Sequence, residues 1–268
     1  MHRTTSAKTR ATAMLRQQHI PPNVTVHFNT PPDMKHLIST LLLSIAFLSS
    51  CGQTLNYESK KVLPEIQLSE SEELILDSIE FDSEVLKLVR AYTDSSIYIL
   101  STSFNYYIDS LKQVNTITKK HNGFSFKAEQ GKAKEIVYEL KDRLKNKGYL
   151  IYISDVNFGY SSDEISLLKS NDQFDILRVE ETDGINYGFE NKDVIAKLQE
   201  WNNIYPFQII SAGLDWVEAI FIKRPDNMRK FAKELYEFCP DIVEQGVGSV
   251  NKLEKEMERS GILYLWWD

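Results

Sequence analysis

Residues 205–223 read YPFQIISAGLDWVEAIFIK, two apolar runs on either side of one glycine. The runs 207–212 and 214–223 have the length and the β-branched and aromatic content of strands. Gly213 between them predicts a tight hairpin or a bulge. Helices follow. Pro225-Asp226 predicts a helix start with Asp226 as N-cap, and Met228, Phe231, Ala232, Leu235 and Cys239 recur at helical spacing until Pro240 stops them. Ser249 predicts the cap of a last helix bearing Val250, Leu253 and Met257, which ends at Ser260-Gly261, and 262–267 predicts a closing strand. The order β-β-α-α-β implies an α+β fold, with an antiparallel or mixed sheet and helices packed mainly on one face.

The pattern continues upstream. Ala133, Ile136, Val137, Leu140 and Leu144 mark a helix ended near Gly148, residues 149–154 (YLIYIS) a strand, and 164–169 a second strand. Residues 172–180 read weakly as a helix. Thr182-Asp183-Gly184 is a turn signal, with Gly184 free to take positive φ. Val194, Ile195, Leu198 and Trp201 mark another helix, closed by Pro206. Earlier still, 83–92 reads as a short helix and 97–100 as a strand, while 105–122 fits neither period.

Four blocks in one order, TDGINYG (182–188), YPFQIISAGLDWVEAIF (205–221), YEFCPDIVEQGVGSV (236–250) and LYLWWD (263–268), resemble the bacterial family catalogued as domain of unknown function 4253. The resemblance covers residues 132–268. It implies a self-contained domain and carries no assigned chemistry.

The amino-terminal region has a different character. Residues 37–50 are uncharged and apolar over about fourteen positions, short of the ~20 a membrane-spanning helix needs. Met34-Lys35-His36 precedes this run and Leu48-Ser49-Ser50-Cys51-Gly52 closes it, so 34–50 reads as a lipoprotein signal peptide with Cys51 as the lipid attachment site. A diacylglyceryl group on Cys51 supplies two acyl chains, enough for stable anchoring. Residues 1–33, Thr- and Pro-rich and basic, read as an over-extended gene start ahead of Met34, or else as a disordered arm. Residues 51–80 read as an acidic tether and 81–131 as an N-terminal α/β segment. Gln53 behind Cys51-Gly52 is not an acidic retention signal, which places the expected anchor on the periplasmic face of the outer membrane.

Inventory narrows the chemistry. Five bases and one acid precede Cys51; taking them from totals of 31 and 38 leaves 26 basic and 37 acidic side chains, a net charge of −11. Such a body repels phosphate backbones, so no nucleic-acid partner is expected. Four of five histidines also precede Cys51, leaving His121, and the second cysteine is Cys239. His- or Cys-built metal sites and a His-based triad therefore lack material, and no metal or cofactor is expected. Cys239, on an apolar stripe, is expected to be a buried thiol. Gly246-Val247-Gly248-Ser249 mimics part of a phosphate loop but reads as a turn plus N-cap.

The remaining candidates are polar or aromatic. In a regular strand Glu218 shares a face with Trp216 and aliphatic residues, and Asp215 falls on the opposite face. A carboxylate among such neighbours is costly to ionise unless paired, which marks Glu218 as either functional or ion-paired. Asp183, Asn186 and Tyr187 occupy a turn, as contacts to a ligand or as local hydrogen-bonding groups. Asp241 follows Cys239-Pro240, placed to cap a turn or to join a carboxylate cluster with Glu218. Trp266 and Trp267 face opposite ways, and Trp267 is carried forward as a binding candidate. Three readings follow. The leading one is a lipid-anchored envelope protein that binds a ligand or partner without catalysis. The second is an envelope hydrolase of carbohydrate or peptidoglycan using Glu218 with Asp215, Asp183 or Asp241. The third is an immunity-like protein, favoured only by acidic charge.

Overall fold

The computed structural model describes residues 66–108 and 113–268. The expected gene start, signal peptide, Cys51 and first part of the tether lie outside those residues. In chain order the elements are α1 (Glu70–Ser78), α2 (Ser83–Arg90), β1 (Ile97–Ile108), β2 (Gln113–Lys127), α3 (Ala133–Lys145), β3 (Tyr149–Asp155), β4 (Glu164–Lys169) and α4 (Asp175–Glu180). A short 3-10 turn (Ile185–Tyr187), α5 (Asn191–Ile204), β5 (Phe207–Gly213), β6 (Trp216–Phe221) and α6 (Met228–Phe238) follow. A π-helical turn (Ile242–Val247), α7 (Val250–Ser260) and β7 (Ile262–Trp266) complete the fold.

The seven strands form one sheet in the order β1-β2-β4-β3-β5-β6-β7. Every neighbouring pair is antiparallel except β3 and β5, which are parallel at Ile153 and Ser211. The sheet is mixed and the class is α+β, as the strand and helix order implies. The opening stretch forms the hairpin that Gly213 suggests, turning at Leu214-Asp215; a bulge also occurs, but between Ile209 and Ser211 and not at the glycine.

Alternation in the central strands divides the core between two faces. Leu150 and Tyr152 of β3 pack with Leu177, Leu198, Phe231 and Leu253, so α4–α7 share one face. Tyr149, Ile151 and Ile153 pack with Leu76, Leu86, Ile136 and Leu140, so α1–α3 cover the other. The helices after β4 keep to one face, as expected; the second layer comes from elements upstream of β3.

Several local expectations are corrected. Residues 70–78 are not tether: Ser69 and Glu72 form a capping box, and Leu76 and Ile79 are buried in the core. The acidic composition hid a helix because its charges lie outward around few apolar positions. Within the stretch 105–122, which shows neither period, residues 105–108 belong to β1 and 113–122 to β2, an antiparallel pair. The N-cap of α6 is Asn227, not Asp226, because Asn227 Oδ1 accepts the Lys230 N–H at 2.9 Å. Gly184 has φ −128°, so positive φ does not explain it; a Cβ there would lie 3.0 Å from the Trp267 indole. The turn needs glycine for close approach of a ring.

Gly123 is a sharper case of the same constraint. A Cβ on it would stand 2.1 Å from the Leu167 carbonyl oxygen, which belongs to the backbone of β4. Gly123→Ala must therefore spread the β2–β4 ladder, and a cost of about 2–3 kcal/mol is expected from overpacking. Urea unfolding of the variant against the parent measures it; unchanged stability contradicts this account of the sheet.

Candidate functional site

Because β3 and β5 run parallel, their carboxyl ends emerge together, the position where open mixed sheets place crevices. Three loops meet there: 156–163 after β3, the turn Leu214-Asp215 after β5, and 182–189. The last is tied down by Thr182 Oγ1 donating to the Gly213 carbonyl at 2.7 Å and by Asp183 N–H donating to the Leu214 carbonyl at 2.8 Å. Trp267 N–H donates to the Asp215 carbonyl at 2.9 Å, bringing the end of β7 to the same place.

A small cleft, partly open to solvent, lies at this end. Asp155, Val156 and Phe158 line one side, and Asp215, Trp216, Tyr264 and Trp266 the other. Trp216 pairs with Trp266 and Glu218 with Tyr264 across the β6–β7 ladder. Burial pushes the Tyr264 hydroxyl far above its ordinary pKa, and the charges of Glu218 and Asp215 add to it. The three loops form the rim, and each carries an exposed apolar side chain: Tyr160 is 86% exposed, Ile185 63% and Leu214 52%.

The structure sorts the expected residues. Asp215 and Trp216 line the cleft. Glu218 is 2% exposed and ion-paired, with Lys134 Nζ of α3 at 2.8 Å from its Oε1. A carboxylate enclosed and neutralised in this way is poorly placed to exchange protons with a substrate. Asp241 does not join it. Its Oδ1 accepts from Tyr187 Oη at 2.7 Å and Gln245 Nε2 at 2.8 Å, and its Oδ2 from the Asp268 N–H at 2.9 Å. Asp241 and Tyr187 thus clamp the chain after β7. Asp183 Oδ1 accepts the Ile185 N–H at 3.2 Å and shapes the 3-10 turn, while Asn186 is exposed on it. Trp267 is a packing residue: its ring meets Phe238 edge-on at 5.7 Å, Nε1 donates to the Phe238 carbonyl at 3.4 Å, and Gly184 lies beneath it. Cys239 is buried as expected. Its thiol donates to the Trp266 carbonyl at 2.9 Å, and burial raises its pKa far above the thiol range. Gly248, in the left-handed conformation, and the Ser249 cap confirm GVGS as a turn plus N-cap.

Asp155, Phe158 and Tyr264 were not legible as site residues. Nor was a polar row beneath α4. Ser125, Ser166 and Tyr152 lie side by side across β2, β4 and β3 and are all buried. Ser125 Oγ is 2.8 Å from Ser166 Oγ, Ser166 donates to Ser154 Oγ at 2.7 Å, and Ser154 donates to Glu164 Oε1 at 3.2 Å. Tyr152 Oη donates to Glu180 Oε1 at 2.6 Å. The signal was present: Ser125 stands between Phe124 and Phe126, and Ser166 between Ile165 and Leu167. His121 stands apart on the hairpin, 2.8 Å from Thr102 Oγ1, and burial lowers its pKa. Among the described residues, no group of three or more His, Cys, Asp or Glu side chains is arranged to hold a metal ion, and no helix is long and apolar enough to cross a membrane.

Fold and site together define an α+β domain with a cleft at the carboxyl ends of its one parallel strand pair. Within it, residues 164–268 match the family described as Domain of unknown function (DUF4253). The match contains all four blocks that carry the resemblance and starts at the first residue of β4; α3 and β3, which the resemblance also covers, lie before it. No curated protein and no solved structure matches the chain.

Glu180 makes stability depend on pH. Burial pushes its carboxyl up to about 7 from an ordinary 4.5; nearby Glu164 and Asp155 add to this, and the Tyr152 hydrogen bond works against it. Between those values the folded chain keeps a proton that the unfolded chain has released, so stability falls as pH rises through the window and levels off above about 7. The loss is of the order of 3 kcal/mol. Urea midpoints at pH 5 and pH 8 should differ in this direction, and Glu180→Gln should remove most of the difference; an unchanged pH slope in that variant rejects the assignment.

Proposed function

We propose that this chain is a lipid-anchored protein of the cell envelope whose C-terminal domain binds a ligand or partner, without catalysis, at the cleft end of the sheet. The observation that carries the binding reading is the exposure of Tyr160, Ile185 and Leu214, one on each of the three loops at this end of the sheet. Solvent-exposed apolar side chains gathered on loops over a rigid sheet mark a recognition surface. The burial of Glu218 against Lys134 supports a non-catalytic reading, because the hydrolase alternative depends on that carboxylate. The acidic balance beyond Cys51 speaks against nucleic acid. Anchoring rests on the apolar run 37–50 and the Leu48-Ser49-Ser50-Cys51 motif.

Two measurements test the two halves. Cys51→Ala should move the protein from the membrane fraction to the soluble fraction of the expressing cell; unchanged fractionation removes the anchor. For the domain, crosslinking in cells should give adducts that Leu214→Asp and Ile185→Asp abolish while the far-ultraviolet circular dichroism stays unchanged. Adducts that survive both substitutions place binding elsewhere.

A further inference from the structure

We propose that the end of the sheet opposite the cleft is a second membrane contact, a basic surface with two exposed isoleucines that rests on anionic phospholipid. Strand direction defines this end. Segments 145–148, 204–206 and 260–261 lead into β3, β5 and β7, while 169–172 and 222–227 leave β4 and β6. Together they carry five bases, Lys145, Lys147, Lys169, Lys223 and Arg224, against two acids, Asp172 and Asp226. The cleft-end segments 156–163, 182–189, 214–215 and 267–268 carry four acids and no base. On a body of net charge −11 the loops opposite the cleft are locally positive, and the two ends of the sheet differ in sign.

The positive charge is not neutralised by neighbours. All five bases are exposed, and among the described residues none of them enters a salt bridge. Lys169 and Arg224 donate to backbone carbonyls, of Glu80 at 2.8 Å and Glu258 at 2.7 Å, which are neutral groups. Of the two acids, Asp172 is paired with Arg178 at 2.8 Å. The same segments carry Ile204 and Ile222, 57% and 68% exposed. The Pro206 carbonyl accepts the Ile222 and Lys223 N–H groups at 2.8 and 3.1 Å, which joins the two segments that bear the isoleucines.

Exposed aliphatic side chains among cations suit the surface of an anionic bilayer. The isoleucines enter the headgroup boundary, and the ammonium and guanidinium groups stay with the phosphates. The choice of a bilayer over an acidic protein rests on the anchoring half of the proposed function. Fourteen residues lie between Cys51 and Ile66, at most about 50 Å of extended chain, so a lipid on Cys51 keeps the domain within reach of the membrane. A contact of this size orients an anchored domain and is too weak to hold a free one. It turns the cleft away from the bilayer and leaves Cys51 as the anchor.

A polarity-sensitive dye on Ile222→Cys, in the full-length Cys51→Ala protein, tests the contact; Cys239 is buried and stays unlabelled. Vesicles of phosphatidylcholine with phosphatidylglycerol should shift the emission to the blue, and vesicles of phosphatidylcholine alone should not. The same dye on Leu214→Cys, at the cleft end, should stay in water with both. Lys223→Gln combined with Arg224→Gln, checked for native circular dichroism, should weaken the vesicle titration about tenfold or more. Lys192→Gln combined with Lys252→Gln, an equal loss of charge on α5 and α7, should leave it unchanged. The contact is overturned if the dye at position 222 stays in water with the anionic vesicles, whether or not the protein sediments with them. A dye at position 214 that shifts equally overturns it too, as does a control pair that weakens the titration as much. The protein tested carries no lipid, so such a failure leaves the anchor standing; the anchor falls only on unchanged fractionation of Cys51→Ala in cells.

Discussion

The fold depends on one short parallel junction. Two antiparallel blocks, β1-β2-β4-β3 and β5-β6-β7, are joined only where β3 meets β5, with Ile153 paired to Ser211. Beside the β5 bulge the buried Ser211 hydroxyl donates to the Ile153 carbonyl at 2.8 Å, adding a side-chain bond where the ladder is shortest. Parallel neighbours cannot be linked by a tight turn, so the chain must travel between them. The route through β4, α4 and α5 is that connection, and it builds one helical layer while closing the sheet. The same junction aligns the carboxyl ends of β3 and β5, which is why three loops converge at one end. The site follows from strand direction before any side chain is chosen.

Acidic groups within this frame have distinct fates. Glu218 meets Lys134, Asp241 collects three donors, and Glu180 takes the Tyr152 hydroxyl. Each is a buried or half-buried carboxylate made tolerable by a specific partner, and each joins elements distant in sequence. Asp241 bonds the 3-10 turn and the chain end; Glu218 links β6 to α3 across the layer. These acids hold structure together. Asp155 and Asp215 differ in position, since both belong to the lining of the cleft at the end of the sheet.

How much of this was legible follows from range. Helices and strands whose apolar residues recur at one period were readable from 133 onward, and β4 and the α5 stripe fall where the pattern puts them. The long hairpin was not, because an exposed ribbon carries no burial period: residues 116–120 are all exposed. Helix α1 was hidden for a related reason, since Leu76 and Ile79 become apolar anchors only once α2 and the sheet provide a surface. Among the site residues, Asp215 and Trp216 could be named because they sit in the hairpin that decides the fold. Asp155, Phe158, Tyr264 and Trp266 could not, since the pairing of β3 with β5 and the path of the 156–163 loop bring them together. Glu218 was read correctly as anomalous. Its partner, 84 residues away in sequence, decides between function and structure, and no local pattern contains it.

Trp266 and Trp267 show how closely the two roles are joined. Both belong to the core on the α4–α7 side of the sheet, Trp266 as the last residue of β7 and Trp267 just beyond it. Trp267 fills the space above Gly184 and meets Phe238, fixing the rim loop against α6. Trp266 turns to the cleft, its backbone held from both sides by the Cys239 sulfur. Cleft wall, rim loop and chain end thus meet through a few shared contacts, and Asp241, accepting from Tyr187 of the 3-10 turn and from the Asp268 N–H, closes the same set.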